Sequence, residues 1–139
     1  MAQNGRAGVV ERALEACVTG NAGALPELFT GNVSGWSPNM MVGSLDELTE
    51  AVGARDESLS DVSIQVHGVD VVGDRAYAEY IISAVFSGPF PIGDDIVIDP
   101  NGRELTLGGV IAADFTGDKI SSFRNYFDDV TLLVQMLAE

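Results

Sequence analysis

The chain has 139 residues, 46 % of them apolar, and carries 21 acidic against 7 basic side chains for a net charge of −14. That length suits one domain, 1–139, whose core needs no staple. The charge repels phosphate backbones and anionic lipid, so neither nucleic acid nor a membrane is an expected partner. A surplus of acid is what a well-solvated surface carries, and a cationic partner is the alternative account. The single cysteine, Cys17, excludes an intrachain disulfide and suits a reducing cytoplasm. No run of about 18 apolar residues is present, and the first residues lack the basic-then-apolar pattern of a secretory signal.

Residues 7–19 set Val10, Ala13, Leu14 and Cys17 on one face and Glu11, Arg12 and Glu15 on the other, which predicts an amphipathic helix. Gly20 to Gly23 break it. A short helix follows, with Leu25, Leu28 and Phe29 inward and Pro26 in its first turn. Residues 33–42 read as a short strand running into a loop. Ser44 and Glu47 form a capping box for a helix over 45–54.

From residue 62 the period changes to two. Residues 62–72 and 75–87 flank Gly73-Asp74, a hairpin signal, and 104–115 and 119–127 flank Thr116-Gly117-Asp118. The connection between these pairs holds three prolines and three glycines and reads as long and partly ordered. A last helix over 129–138 turns Val130, Leu133, Val134 and Leu137 inward. Helices grouped against one face of an antiparallel sheet give an α+β fold.

Three stretches then resemble a known family. They are Gly117-Asp118-Lys119-Ile120 continuing through Phe123-Arg124-Asn125-Tyr126-Phe127-Asp128 to Leu137, the opening helix with Gly20-Asn21 and Leu25 to Phe29, and the Asn-Gly-Arg turn at 101–103. Their order resembles the nuclear transport factor 2-like superfamily, and within it the SnoaL-like polyketide cyclases and limonene-epoxide-hydrolase-like proteins. The resemblance implies a cone-shaped α+β barrel: a curved antiparallel sheet with N-terminal helices enclosing a pocket, plus a C-terminal helix. It also implies a homodimer through the outer sheet face, a small hydrophobic ligand and no cofactor.

Asp128 matches the family's acid–base aspartate. A carboxylate beside an apolar cavity loses hydration and becomes a better base. A cap on the last helix by Asp128 or Asp129 is the equal alternative. Strand alternation puts Arg124 and Tyr126 on the face of Asp128, and Phe123, Asn125 and Phe127 on the other. Arg124 then holds an anionic intermediate or pairs with Asp114 on the neighbouring strand. Asp114 resembles the position of a cyclase histidine, and a second carboxylate there splits acid from base or is merely solvated. These three, Asp128, Arg124 and Asp114, are the expected catalytic set.

Trp36, Asn39, Met40, Met41, Tyr126 and Phe90 are the expected substrate-binding set. Methionine adapts to irregular ligands, although core packing accounts for Trp36, Met40 and Met41 equally well. Ser37 stands where related ketosteroid isomerases carry their base, which argues against that route. The residue two before Asp95 is Gly93, where related epoxide hydrolases carry an arginine. One histidine, His67, and one cysteine cannot build a usual zinc site, so no metal is expected. The reading is a cofactor-free cyclase, isomerase or epoxide hydrolase for a polyketide-, terpenoid- or steroid-like compound; a non-catalytic ligand-binding or dimerising module is the rival.

Overall fold

The computed structural model describes residues 2–38, 40–54, 58–92 and 94–138, and of 2–4 the backbone alone. Helix α1, Ala2–Thr19, buries Val10, Ala13 and Leu14 as its spacing predicts, together with Val9 and Ala16, while Cys17 is half-buried. Its first turns are pinned by Arg6. One Arg6 nitrogen donates to the Gly73 carbonyl at 2.7 Å and to Asp74 at 2.9 Å, the other to the Gly117 carbonyl at 2.9 Å. The guanidinium also lies 5.2 Å from the centre of the Phe115 ring. One side chain thus ties the helix to two hairpin turns.

Helix α2 is only Leu25–Leu28, and strand β1, Phe29–Ser37, starts at once. Phe29 is therefore extended, not helical, because Thr30 and Gly31 are poor helix formers. The segment read as one strand into a loop is a hairpin of β1 with β2, Met40–Val42. Helix α3, Leu45–Gly53, starts as its capping signal predicts: Ser44 accepts from the Glu47 amide at 3.1 Å. The Glu47 carboxylate reaches back one residue further than the usual box, to the Gly43 amide at 2.8 Å.

The four long strands follow the predicted hairpins: β3, Leu59–Val72, with β4, Arg75–Phe86, and β7, Glu104–Thr116, with β8, Lys119–Phe127. Gly73 and Gly117 take positive φ at the two turns. The long connection holds a small hairpin of its own, β5, Phe90–Ile92, and β6, Ile96–Ile98. Helix α4, Asp129–Leu137, follows β8. The inward face expected for it is corrected, because it buries Met136 with Leu132 and Leu133 against it and leaves Val130, Val134 and Leu137 exposed.

Among the described residues one six-stranded sheet runs β2-β1-β8-β7-β4-β3. Every neighbouring pair is antiparallel except β1 with β8, which is parallel. Register shifts within β3, one beside Asp61 at φ 51°, bend the sheet edge. The sheet is curved and open, and the helices sit on its concave side. The fold is the α+β class that the element order predicts and the curved cone that the resemblance implies, although the sheet does not close into a barrel.

Two apolar clusters fill that side. The larger lies under α1 and gathers Val10, Leu14, Leu25, Phe29, Val33, Tyr80 and Phe123. The smaller, Phe86, Ile98, Leu105 and Met136, lies under α4. Two amides fasten α4 there. Beyond Gly109, β7 has no β8 partner, and the Gln135 side chain takes the vacant place. It accepts from the Thr106 amide at 2.8 Å and donates to the Thr106 carbonyl at 2.7 Å. Asn101 donates to the α4 carbonyls of Gln135, Met136 and Ala138 at 3.2 to 3.3 Å.

Candidate functional site

Strand β8 divides the functional side chains between two faces. On the concave face stand Phe123, Asn125 and Phe127. The Phe123 ring enters the space left by Gly35 on β1, where an added Cβ would meet it at 2.2 Å, and it tilts against Phe29 at 5.8 Å. Tyr80 crosses Gly109 in the same way and donates its hydroxyl to the Asn125 side-chain oxygen. Tyr80 is 2 % exposed, and burial raises its phenol pKa against the lowering effect of the Asn125 bond. The register sets the pair beside the partly buried Ile82, Ile64 and Val66, so a fixed amide stands next to aliphatic neighbours.

On the outer face stand Ser122, Arg124 and Tyr126. Asp114 on β7 is their hub. It accepts from Arg124 at 2.7 Å, Ser122 at 2.7 Å and Arg75 at 2.8 Å. Loss of hydration pushes its carboxyl upward, but the three donors outweigh that and hold it well below the usual carboxylate range. Trp36 on β1 faces Arg124 in register and tilts against Tyr126, with ring centres 5.3 Å apart.

The expectation that Asp128, Arg124 and Tyr126 look into the interior is therefore corrected. Arg124 and Tyr126 point away from the helices, because Phe123, not its neighbour, has the glycine opposite to fill. Asp128 is the N-cap of α4. It accepts from the Thr131 hydroxyl and from the Thr131 amide at 3.1 Å, and these bonds lower its pKa while it stays exposed. Asp114 is the ion-pair partner of Arg124, one of its two anticipated roles.

The expected ligand-binding residues also separate. Met40 packs against the larger cluster, whereas Met41, its neighbour, is exposed on the outer face with Trp36. Phe90 belongs to the cluster under α4. Asn39 lies outside the described residues. Asp94 and Asp95 sit exposed in the turn between β5 and β6. His67 is exposed on β3. Cys17 packs against the larger cluster, and burial pushes its thiol up to about 12, which makes it inert. Among the described residues no three His, Cys, Asp or Glu side chains are grouped to hold a metal, and no helix is long and apolar enough to cross a membrane.

Tyr80 and Asn125 are the residues that sequence reasoning missed. Alternation did separate Asn125 from Arg124, but nothing in the strand's own residues said which side was inside. The glycines opposite, Gly35 and Gly109, carry that information, and it is readable only once the strands are paired.

This geometry has known counterparts. Residues 10–123 match the model of the SnoaL-like domain. The chain belongs to the SnoaL-like family. No curated protein matches it by sequence. Solved structures that resemble this SnoaL-like chain include a proposed SnoaL-like polyketide cyclase from Jannaschia sp. CCS1. It is 16 % identical with a TM-score of 0.81, over 99 % of this chain and 94 % of that one. A proposed polyketide cyclase from Xanthomonas campestris pv. campestris is 19 % identical with a TM-score of 0.76, over 98 % and 99 %. An LEH-like epoxide hydrolase from M. tuberculosis is 9 % identical with a TM-score of 0.74, over 99 % and 92 %. Identities this low speak for a shared fold. Solved structures that share this fold thus include proposed polyketide cyclases and an LEH-like epoxide hydrolase.

Proposed function

We propose that this SnoaL-like chain is a cofactor-free acid–base enzyme. Its substrate is a small, largely apolar compound with an enolisable carbonyl, held against the concave face of the sheet. The reaction is a cyclisation or isomerisation. The observation that carries the reading is the Tyr80–Asn125 pair, a polar couple set beside aliphatic neighbours. With its oxygen engaged by Tyr80, the Asn125 amide presents its N–H groups as donors. Donors fixed in an apolar setting stabilise the negative charge that grows on a carbonyl oxygen as the neighbouring carbon loses a proton. Tyr80 is a positioning residue in this scheme.

In this reading Asp128, at the end of β8, serves as the base by leaving its cap on Thr131 and turning towards the concave face. Its capping bonds favour the ionised form, so it is a weak base at neutral pH. It therefore suits acidic C–H bonds, such as that between two carbonyls. The test is turnover of β-dicarbonyl polyketide mimics by the native chain, by Asp128→Asn and by Asn125→Ala. The reading predicts a loss of turnover of about 10²-fold or more in each variant.

One observation favours a second reading, that of a binding module without catalysis. Both candidate acids, Asp114 and Asp128, are held ionised by nearby donors. Ligand binding without turnover in the native chain, unchanged in Asp128→Asn, would select it.

A further inference from the structure

Helix α4 is apolar over more of its surface than the core covers. At about 100° per residue, Leu132, Met136 and Leu133 face the smaller cluster, while Thr131 and Gln135 share the side that bonds to the edge of β7. Val130, Val134 and Leu137 occupy the remaining third, at 69 %, 62 % and 63 % exposure. A helix that is apolar nearly all round is normally buried nearly all round. Here one side has no cover among the described residues. The cluster that α4 covers is on the concave side of the sheet, away from the outer surface expected to pair with a second copy.

The β5–β6 hairpin extends this apolar surface from one end. Asn101, just after β6, donates to the carbonyls at the C-terminal end of α4, so the foot of the hairpin stands beside that helix end. Phe90 and Ile98 pair across the hairpin and enter the cluster. Ile92 and Ile96, the next pair on the same side by alternation, are exposed. The apolar surface of helix and hairpin thus runs on beyond the cluster that both cover.

The charge around it has one sign. Residues 86–102 and 128–139 hold six acids, Asp94, Asp95, Asp99, Asp128, Asp129 and Glu139, and no base; Arg103 is the one base that borders them. Asp94 and Asp95 stand exposed at the hairpin turn, and Asp129 opens α4. This charge decides what can cover the face. A second copy packed on it about a two-fold axis would set six acids against six, with only the Arg103 side chain of each as counter-charge. An anionic lipid surface would be repelled in the same way.

We propose that α4 and the β5–β6 hairpin form a docking face for a basic amphipathic helix of a partner protein. The partner's apolar stripe lies along Val130, Val134 and Leu137, which span about 10 Å, or two helical turns. Its Lys and Arg side chains meet Asp129 at one end and Asp94 and Asp95 at the other. The proposal is independent of the catalytic reading.

The test is fluorescence anisotropy of a dye-tagged peptide of about four helical turns, built from leucine and lysine with the leucines on one face. The controls are the same peptide with glutamate for lysine, and the same composition in an order that has no apolar face. The proposal expects saturable binding of the lysine peptide in the micromolar range, and binding of both controls at least tenfold weaker. Val134→Gln with Leu137→Gln, at two exposed positions that folding does not need, should weaken it about tenfold or more. Asp94→Asn with Asp95→Asn should weaken it several-fold. Glu11→Gln with Glu15→Gln, an equal charge change on the exposed side of α1, should alter it by less than about twofold. Circular dichroism confirms that each variant is folded. No binding, equal binding of either control, no loss in the Val134 and Leu137 variant, or an equal loss in the Glu11 and Glu15 variant would overturn the proposal. So would a native chain that sediments as a dimer and is dissociated by the Val134 and Leu137 changes, which would assign the face to a second copy.

Discussion

The two faces of strand β8 are built from similar alphabets and do opposite things. Inside, Phe123, Asn125 and Phe127 stand among rings and aliphatic groups, and the polar member is bonded to one buried tyrosine. Outside, Ser122, Arg124 and Tyr126 join a charged network around Asp114 that remains in partial contact with water. Each face carries an aromatic ring and a polar side chain. What separates them is the partner strand: glycine opposite Phe123 inside, a tryptophan opposite Arg124 outside. A side chain's surroundings, more than its own type, decide whether its polarity serves packing or recognition.

The comparison breaks most sharply at Phe123. Phe123→Ala empties the interior and should cost about 3–5 kcal/mol in urea unfolding. Tyr126→Ala, on the half-exposed outer ring beside it, should cost well under half of that. Equal losses would mean that the outer face is as well packed as the core.

Gly35→Ala comes next. The new methyl would meet the Phe123 ring at 2.2 Å, and overpacking of this kind costs about 1–3 kcal/mol. The double variant Gly35→Ala with Phe123→Leu should recover part of the loss. If Gly35→Ala alone is neutral, Phe123 is not seated where the account puts it.

Smaller effects belong to the outer network. Asp114→Asn removes two exposed ion pairs, each worth about 0.2–1 kcal/mol. The pH dependence carries its signature. The folded pKa of Asp114 is lowered, so its contribution is present above the unfolded value of about 3.9 and is lost as pH falls through the lower folded value. The native chain should lose more stability between pH 5 and pH 2, on the order of a carboxylate titration window, than Asp114→Asn does. The same sign holds for Asp128. Smallest of all, Asp128→Asn should leave the melting temperature almost unchanged, because asparagine caps as well as aspartate. Asp128→Ala should lower it.

Those expectations bear on how much could be read beforehand. The long strands, the Gly73-Asp74 turn, the Ser44 cap and the span of the final helix were legible because each rests on local chemistry: period, positive φ and capping. The buried face of that helix was not, since Met136 is buried while Val130, Val134 and Leu137 are exposed. The fold family followed from their order. The parallel pairing of β1 with β8 was not legible, because strand pairing between residues some ninety positions apart leaves no local trace. The start of β1 at Phe29 was hidden by a helix of one turn.

The site was legible only in part. Arg124, Asp114, Trp36 and Met41 do come together, but on the outer face. Alternation sorts a strand into two sets without saying which is buried, and one residue of slip exchanges them. Asp128 drew attention for the sound reason that a strand-to-helix junction places a carboxylate well. The same junction gives it a cap to make, and the cap is what the geometry displays.

The central claim is that the concave side of β8 receives the substrate. It can be tested by two-dimensional NMR of the ¹⁵N-labelled chain titrated with 1-phenyl-1,3-butanedione, a neutral β-dicarbonyl. The account predicts that the Asn125 side-chain amide signals move with saturation while the Trp36 indole N–H stays still. Movement of Trp36 with Asn125 unmoved would contradict it.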